Sequence, residues 1–249
     1  MIQRMVTSAL FAGCAAGLFA ALLHFAFVQE YILLGEKYET GALVHFGGAT
    51  DAPAPEGHDH GDDGHSETGH SETGAESAPH EHPSGDMSRN VLTVLFWALT
   101  YVGFGLLLVA GFAVAEHFGR KVAARDGILW GLAGFAAMHL APALGLAPEL
   151  PGTIAADLFA RQVWWLGTVL ATGAGLALLT YGRGFAMALL AGALLAAPHV
   201  IGAPQPDSFW GVAPPEVASA FAARVLGSGL AAWAVLGILA ARLWCGKAS

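Results

Sequence analysis

The chain has 249 residues, of which 55% are hydrophobic and only 12% charged, and its mean hydropathy is +0.56; a soluble domain carries about 25% charged residues, so an ordinary soluble globular protein is excluded and the membrane class is indicated. The formal charge of -8 is concentrated between Asp51 and Asp86, a window rich in Asp and Glu and without Lys or Arg, while the remainder is nearly balanced, and no nucleic-acid partner is expected. Cys14 and Cys245 lie at opposite ends of the chain, which argues against a disulfide framework or a thiolate metal site and leaves His and carboxylate for any metal chemistry.

The first apolar run is Met5–Val28. Its MIQR start resembles a signal peptide, and Phe11-Ala12-Gly13-Cys14 resembles a lipoprotein cleavage site. The run nevertheless continues past Cys14 for the length a bilayer crossing needs, and Gly13 and Gly17 have the spacing of closely packed membrane helices. Residues 1–28 are therefore read as a retained first transmembrane helix. An exterior loop is expected over 29–90. Its opening, EYILLGEKYETGALVHF, mixes aromatic and acidic residues and is expected to fold back onto the bundle. From about 48 to 88 the composition turns to Asp, Glu, His, Gly, Ser and Pro, which cannot bury enough apolar surface to offset ordering, so disorder is expected.

That loop contains HDHGDDGHSETGHSETG, with the pentapeptide HSETG written twice. His58, His60, His65, His70, His80 and His82 stand among carboxylates, a donor set for divalent first-row metals. Glycines keep each unit flexible, so the expected behaviour is capture by many interchangeable sites of modest affinity. Such a tract cannot select its metal, because affinity at generic nitrogen and oxygen sites rises from cobalt through nickel to copper.

Five further apolar runs follow: Val91–Ala115, Gly127–Leu146, Gln162–Tyr181, Phe185–Ala203, the shortest, and Ala220–Leu243. The fold class expected is all-α, a polytopic membrane helix bundle of about six transmembrane helices, five of them within 91–249. Sidedness follows from the basic residues. Arg4, Arg120, Lys121, Arg125, Arg183, Arg242 and Lys247 fall on one side, and Lys37, Arg89, Arg161 and Arg224 are scattered on the other. By the positive-inside rule both termini are cytoplasmic and the His-rich loop is exterior, or periplasmic.

Three histidines lie inside the runs: His24, His139 and His199. Each falls in the outer half of its helix, roughly 6–10 Å deep at 1.5 Å per residue. Intramembrane ionisable residues mark ion paths or partnered sites by default, and the shared depth allows one common site; the alternative for each is a hydrogen bond to a neighbouring helix. Pro142 and Pro198 each free a backbone carbonyl one turn earlier, as in the broken helices that coordinate cations in transporters. In the exterior connection after the third run, Asp157 and Arg161 are four apart and are expected to pair on one helix face. Trp164 and Trp165 read as interface anchors.

Four pieces of the chain resemble the CbtA family of predicted cobalt-transporter subunits: EKYE (Glu36 to Glu39), the His-rich loop behind it, LAPALGLAPELPG running into AADLFARQVWW, and PHVIGAPQP before the last run. The resemblance implies an integral membrane protein of the bacterial inner membrane that takes up Co2+, linked to cobalamin demand. It also implies a small single-span, His-containing membrane partner of the CbtB type. On this reading the loop concentrates cations, Glu36, Glu39 and His45 hand them inward, and His24, His139 and His199 line the outer path. No enzymatic activity is expected, and without a GxxxxGK[ST] phosphate loop no nucleotide is bound in that manner. The alternatives are a nickel or zinc permease, a metal-sensing or assembly subunit, and a redox protein in which His139 and His199 ligate haem.

Overall fold

The structure, a computed structural model, describes residues 2–45 and 83–246. Among these the architecture is all-helical: α1 (Ile2–Leu23), a π-helical turn (His24–Val28), α2 (Gln29–Glu39), α3 (Pro83–His117), α4 (Gly127–Phe135), a second π-helical turn (Ala136–Leu140), α5 (Ala141–Ala143), α6 (Leu158–Tyr181), α7 (Phe185–Ile201) and α8 (Pro215–Gly246). Extended backbone pairs only in one antiparallel bridge among the described residues, Thr153 with Gly211.

All six apolar runs form helices. Among the described residues four stretches are long and apolar enough to cross a membrane, Ile2–Glu39, Met87–His117, Leu158–Tyr181 and Pro215–Gly246, and Phe185–Ile201 is a shorter apolar helix. The third run becomes α4, the π turn and α5 in succession.

Helix ends differ from the sequence expectation. The first helix does not stop at Val28 but continues to Glu39, because QEYILLGEKYE has no proline and is rich in helix-favouring Gln, Glu, Leu and Lys. It stops where Thr40 leads to Gly41, whose φ of +76° suits glycine after a helix. At 38 residues this helix is about 57 Å long, well beyond a hydrocarbon core of about 30 Å. The following helix starts at Pro83, inside the stretch expected to be irregular; proline is favoured in a first turn, where its missing N–H has no intrahelical role.

Two features hold α1, α3, α4 and α8 together. One is close backbone approach at small residues. Ala9, Ala12 and Ala16 are fully buried, and a β-carbon at Gly13 or Gly17 would lie 2.5 Å from the Cα of Val102 or 2.6 Å from that of Ala98. The GxxxG spacing thus fits α1 against α3. Gly127 and Gly131 of α4 meet α8 at Gly237 in the same way. The other is an aromatic and aliphatic core in which Tyr101, Phe112, Trp233, Leu236 and Trp244 are almost wholly buried.

The ends of the bundle are tied by ion pairs. At one end Arg4 meets Glu116 at 2.7 Å, Glu116 accepts the Trp244 indole N–H at 2.7 Å, and the Arg4 guanidinium stacks 3.6 Å from the Trp244 ring centroid. The first and last described helices therefore begin and finish at the same end. At the other end Arg89 of α3 pairs with Glu36 at 2.6 Å and Arg224 of α8 with Glu30 at 3.0 Å. Beneath these pairs Val28, Leu150 and Phe221 form a second apolar cluster. The α6–α7 hairpin stands apart: α7 packs on α6 alone among the helices, and α6 meets the rest through the α4–α5 helix without touching α3.

Candidate functional site

Met138 and His139 sit in the π turn of the third helix, where the Ala141 N–H donates to the carbonyl of Ala136. Pro142 follows at once. A proline lacks an N–H and its ring collides with the carbonyl four residues back, and one extra residue per turn relieves that collision at the position where Met138 and His139 emerge. The carbonyl that Pro142 is expected to free thus lies in a widened turn, a feature that recurs at functional positions inside helices.

His139 is half-buried and held on three sides. Its Nδ1 accepts the indole N–H of Trp233 at 3.2 Å, its ring stacks on Phe135 at 5.9 Å, and it lies edge-on to Phe104 at 5.5 Å. A neutral imidazole that accepts at Nδ1 carries its proton on Nε2. On the other side His139 lines a cavity of about 380 Å³ shared with Met138, Pro142, Glu149, Arg161, Gln162 and Trp165. Arg161 pairs with Glu149 at 3.0 Å, so polar groups lie above and an imidazole below.

This arrangement corrects one local expectation. Arg161 reaches Glu149 rather than Asp157, because Asp157 caps α6, its carboxylate accepting the Ala160 N–H at 2.9 Å. Trp164 also packs within the bundle: its indole N–H donates to the Pro198 carbonyl at 3.1 Å and joins α6 to α7.

His24, His139 and His199, the three histidines of the apolar runs, do not converge. His24 lies in the first π turn, its ring 5.7 Å from that of Trp97, and its buried Nδ1 has no hydrogen-bond partner among the described residues. An aromatic seam runs from Trp97 to Tyr101 and Phe104 along α3 and reaches His139. Trp97 and Phe104 are two turns apart, on the order of 10 Å along the axis, so the seam spaces His24 from His139. His199 is exposed on α7, its ring 6.3 Å from that of Trp164, and α7 does not touch the helix of His139. The geometry therefore gives no support to a haem held between His139 and His199. No group of three or more His, Cys, Asp or Glu side chains is placed to hold a metal among the described residues.

Of the remaining candidates, Glu36 is engaged by Arg89, Glu39 packs beside Gly152, and His45 is exposed just beyond the helix end. His58, His60, His65, His70, His80 and His82 lie outside the described residues. Sequence reasoning missed Trp233 and Gln162. Trp233 stands far from His139 along the chain, so no local pattern links them, whereas Gln162 was legible as a polar residue at the start of an apolar run.

No curated protein and no solved structure matches the chain. The family model described as probable cobalt transporter subunit (CbtA) matches residues 2–245, which takes in every helix described above but for the last residue of α8. The match spans nearly the whole chain, and the chain belongs to the CbtA family of probable cobalt transporter subunits.

Proposed function

We propose that this chain is the membrane subunit through which Co2+ is taken up, and that the cation passes beside His139 from the cavity lined by that residue. The observation that carries this is the placement of one imidazole, emerging from a π turn, at the base of a cavity with Glu149, Arg161 and Gln162 among its polar lining. A single imidazole completed by water holds a divalent cation only briefly, which suits passage, since each binding step must be weak enough to allow release. A dedicated store would surround the metal with several protein ligands.

The remaining parts of the reading rest on composition and charge. The histidines and carboxylates from His58 to His82 concentrate divalent cations at the mouth, and the distribution of basic residues supports a bacterial inner-membrane topology with both termini cytoplasmic and that loop periplasmic. A small single-span His-containing partner of the CbtB type acts alongside. Coupling energy comes from the partner or from a gradient, in keeping with the lack of a Walker-type phosphate loop.

The test is accumulation of radiolabelled cobalt in metal-starved cells expressing the chain with its partner. We expect His139→Ala to lower uptake about tenfold or more, a loss typical of removing a group that engages the moving species, and His199→Ala to stay within about twofold of the parent. Equal losses would remove the distinction drawn between the two histidines. Stronger competition by nickel or zinc than by unlabelled cobalt would reassign the cargo, since imidazole and carboxylate accept all three.

A further inference from the structure

A second cavity, of about 860 Å³, lies between α3 and α6 and is floored by α4. It exists because the α6–α7 hairpin reaches the bundle only through the third helix and never touches α3. Leu108, Gly111, Leu129, Gly173 and Ala177 line it, and its far end reaches Met138 and Trp233, directly behind His139. At the end of the bundle that holds both termini, the cleft opens between Arg120, Lys121 and Tyr181.

The charge of that opening decides what fits. The Arg120 guanidinium lies 5.6 Å from the Tyr181 ring centroid, and both Arg120 and Lys121 are exposed. The one carboxylate lining the cleft, Asp126, accepts the backbone N–H of Ala123 at 3.2 Å and lies 3.8 Å from Arg125. The mouth is therefore net positive and repels a divalent cation, which makes the cleft a poor exit for cobalt. It is complementary instead to an amphiphile with an anionic head, because basic pockets between membrane helices recognise anionic lipid headgroups.

We propose that the cleft binds an anionic phospholipid, its phosphate on Arg120 and Lys121 and one acyl chain between α3 and α6. The lipid braces the hairpin against α3, and its chain tip fills the space behind Met138 and Trp233. A zwitterionic lipid gains less from the two cations, so a preference on the order of tenfold follows for the anionic one.

The experiment is native mass spectrometry of the full chain, stripped of lipid in detergent and titrated with phosphatidylglycerol or phosphatidylcholine of identical chains. One phosphatidylglycerol is expected to bind about tenfold more tightly than phosphatidylcholine. R120Q/K121Q is expected to lose that preference, while the charge-conserving R120K/K121R and the neighbouring R183Q keep it. A177W, which fills the cleft and leaves the mouth intact, is expected to lose the bound lipid. An undiminished preference in R120Q/K121Q overturns the proposal; should that variant fail to fold, retention of the lipid by A177W overturns it instead. A second polypeptide in the spectrum, with no lipid adduct, assigns the cleft to a protein partner or another copy of this chain and equally overturns it.

Discussion

His139 matters less for being a histidine in a membrane than for the bond it already makes. Its Nδ1 lone pair is occupied by the Trp233 indole N–H at 3.2 Å. A cation bound at Nδ1 must displace the indole, and one bound at Nε2 requires the ring proton to move to Nδ1, where the indole N–H then points at another donor. Either mode of ligation breaks the Trp233 bond, so Trp233 opposes tight capture. Trp233→Phe keeps an aromatic ring against Phe104 and removes the donor. A net hydrogen bond is about 1 kcal/mol, so the variant is expected to bind Co2+ roughly fivefold more tightly in equilibrium dialysis of the purified protein. Unchanged affinity there would mean that the cation does not engage the His139 ring. Sequence alone set His24, His139 and His199 on an equal footing, because all three occur in apolar runs. What separates them is tertiary: an indole from α8 beside His139, an aromatic seam beside His24, and an exposed face of α7 under His199.

Helix positions were legible from run length, since six apolar stretches in the sequence are six helical segments in the fold. Their ends were not. Hydropathy stops at the membrane boundary, while backbone hydrogen bonding continues wherever helix-favouring residues follow, which is why the first helix runs on through Glu36 to Glu39 and α3 begins at Pro83. The π turns were also hidden, since the widening that Pro142 requires depends on the local hydrogen-bond register. Small-residue spacing, by contrast, read directly. Gly17 faces the backbone of α3 at Ala98, whereas a β-carbon added at Gly103, on α3 itself, would meet nothing within 4 Å. Gly17→Leu is expected to destabilise the fold by about 1–3 kcal/mol, the usual range for overpacking a tight contact. Gly103→Leu should be neutral or slightly stabilising, since leucine is the better helix former. Thermal unfolding in detergent, followed by Trp fluorescence, checks both, and equal losses would show that α1 and α3 are not in the contact described.

At the scale of the molecule, the bundle is closed at both ends by groups that do not belong to the His-rich stretch. Arg4, Glu116 and Trp244 tie α1, α3 and α8 at the end bearing the termini, and Glu36–Arg89 and Glu30–Arg224 tie the opposite end. The connection between α2 and α3 is thus backed by a direct ion pair between them. The residues that join them hold nine of the 19 carboxylates, seven of the 11 histidines and no Lys or Arg, and a field of one sign raises the local concentration and arrival rate of opposite charges by about 10–10³, falling steeply with ionic strength. If the stretch acts in that way, replacing residues 47–82 by a short Gly-Ser linker should leave uptake at saturating cobalt close to that of the parent and raise the apparent KM about tenfold or more at low salt. The difference should shrink as salt is added, because screening weakens the attraction in the parent and has little left to weaken in the variant. Saturation curves of cobalt accumulation at two ionic strengths decide the matter: loss of the maximal rate places the stretch within the translocation path, and an unchanged KM at low salt denies it any part in capture.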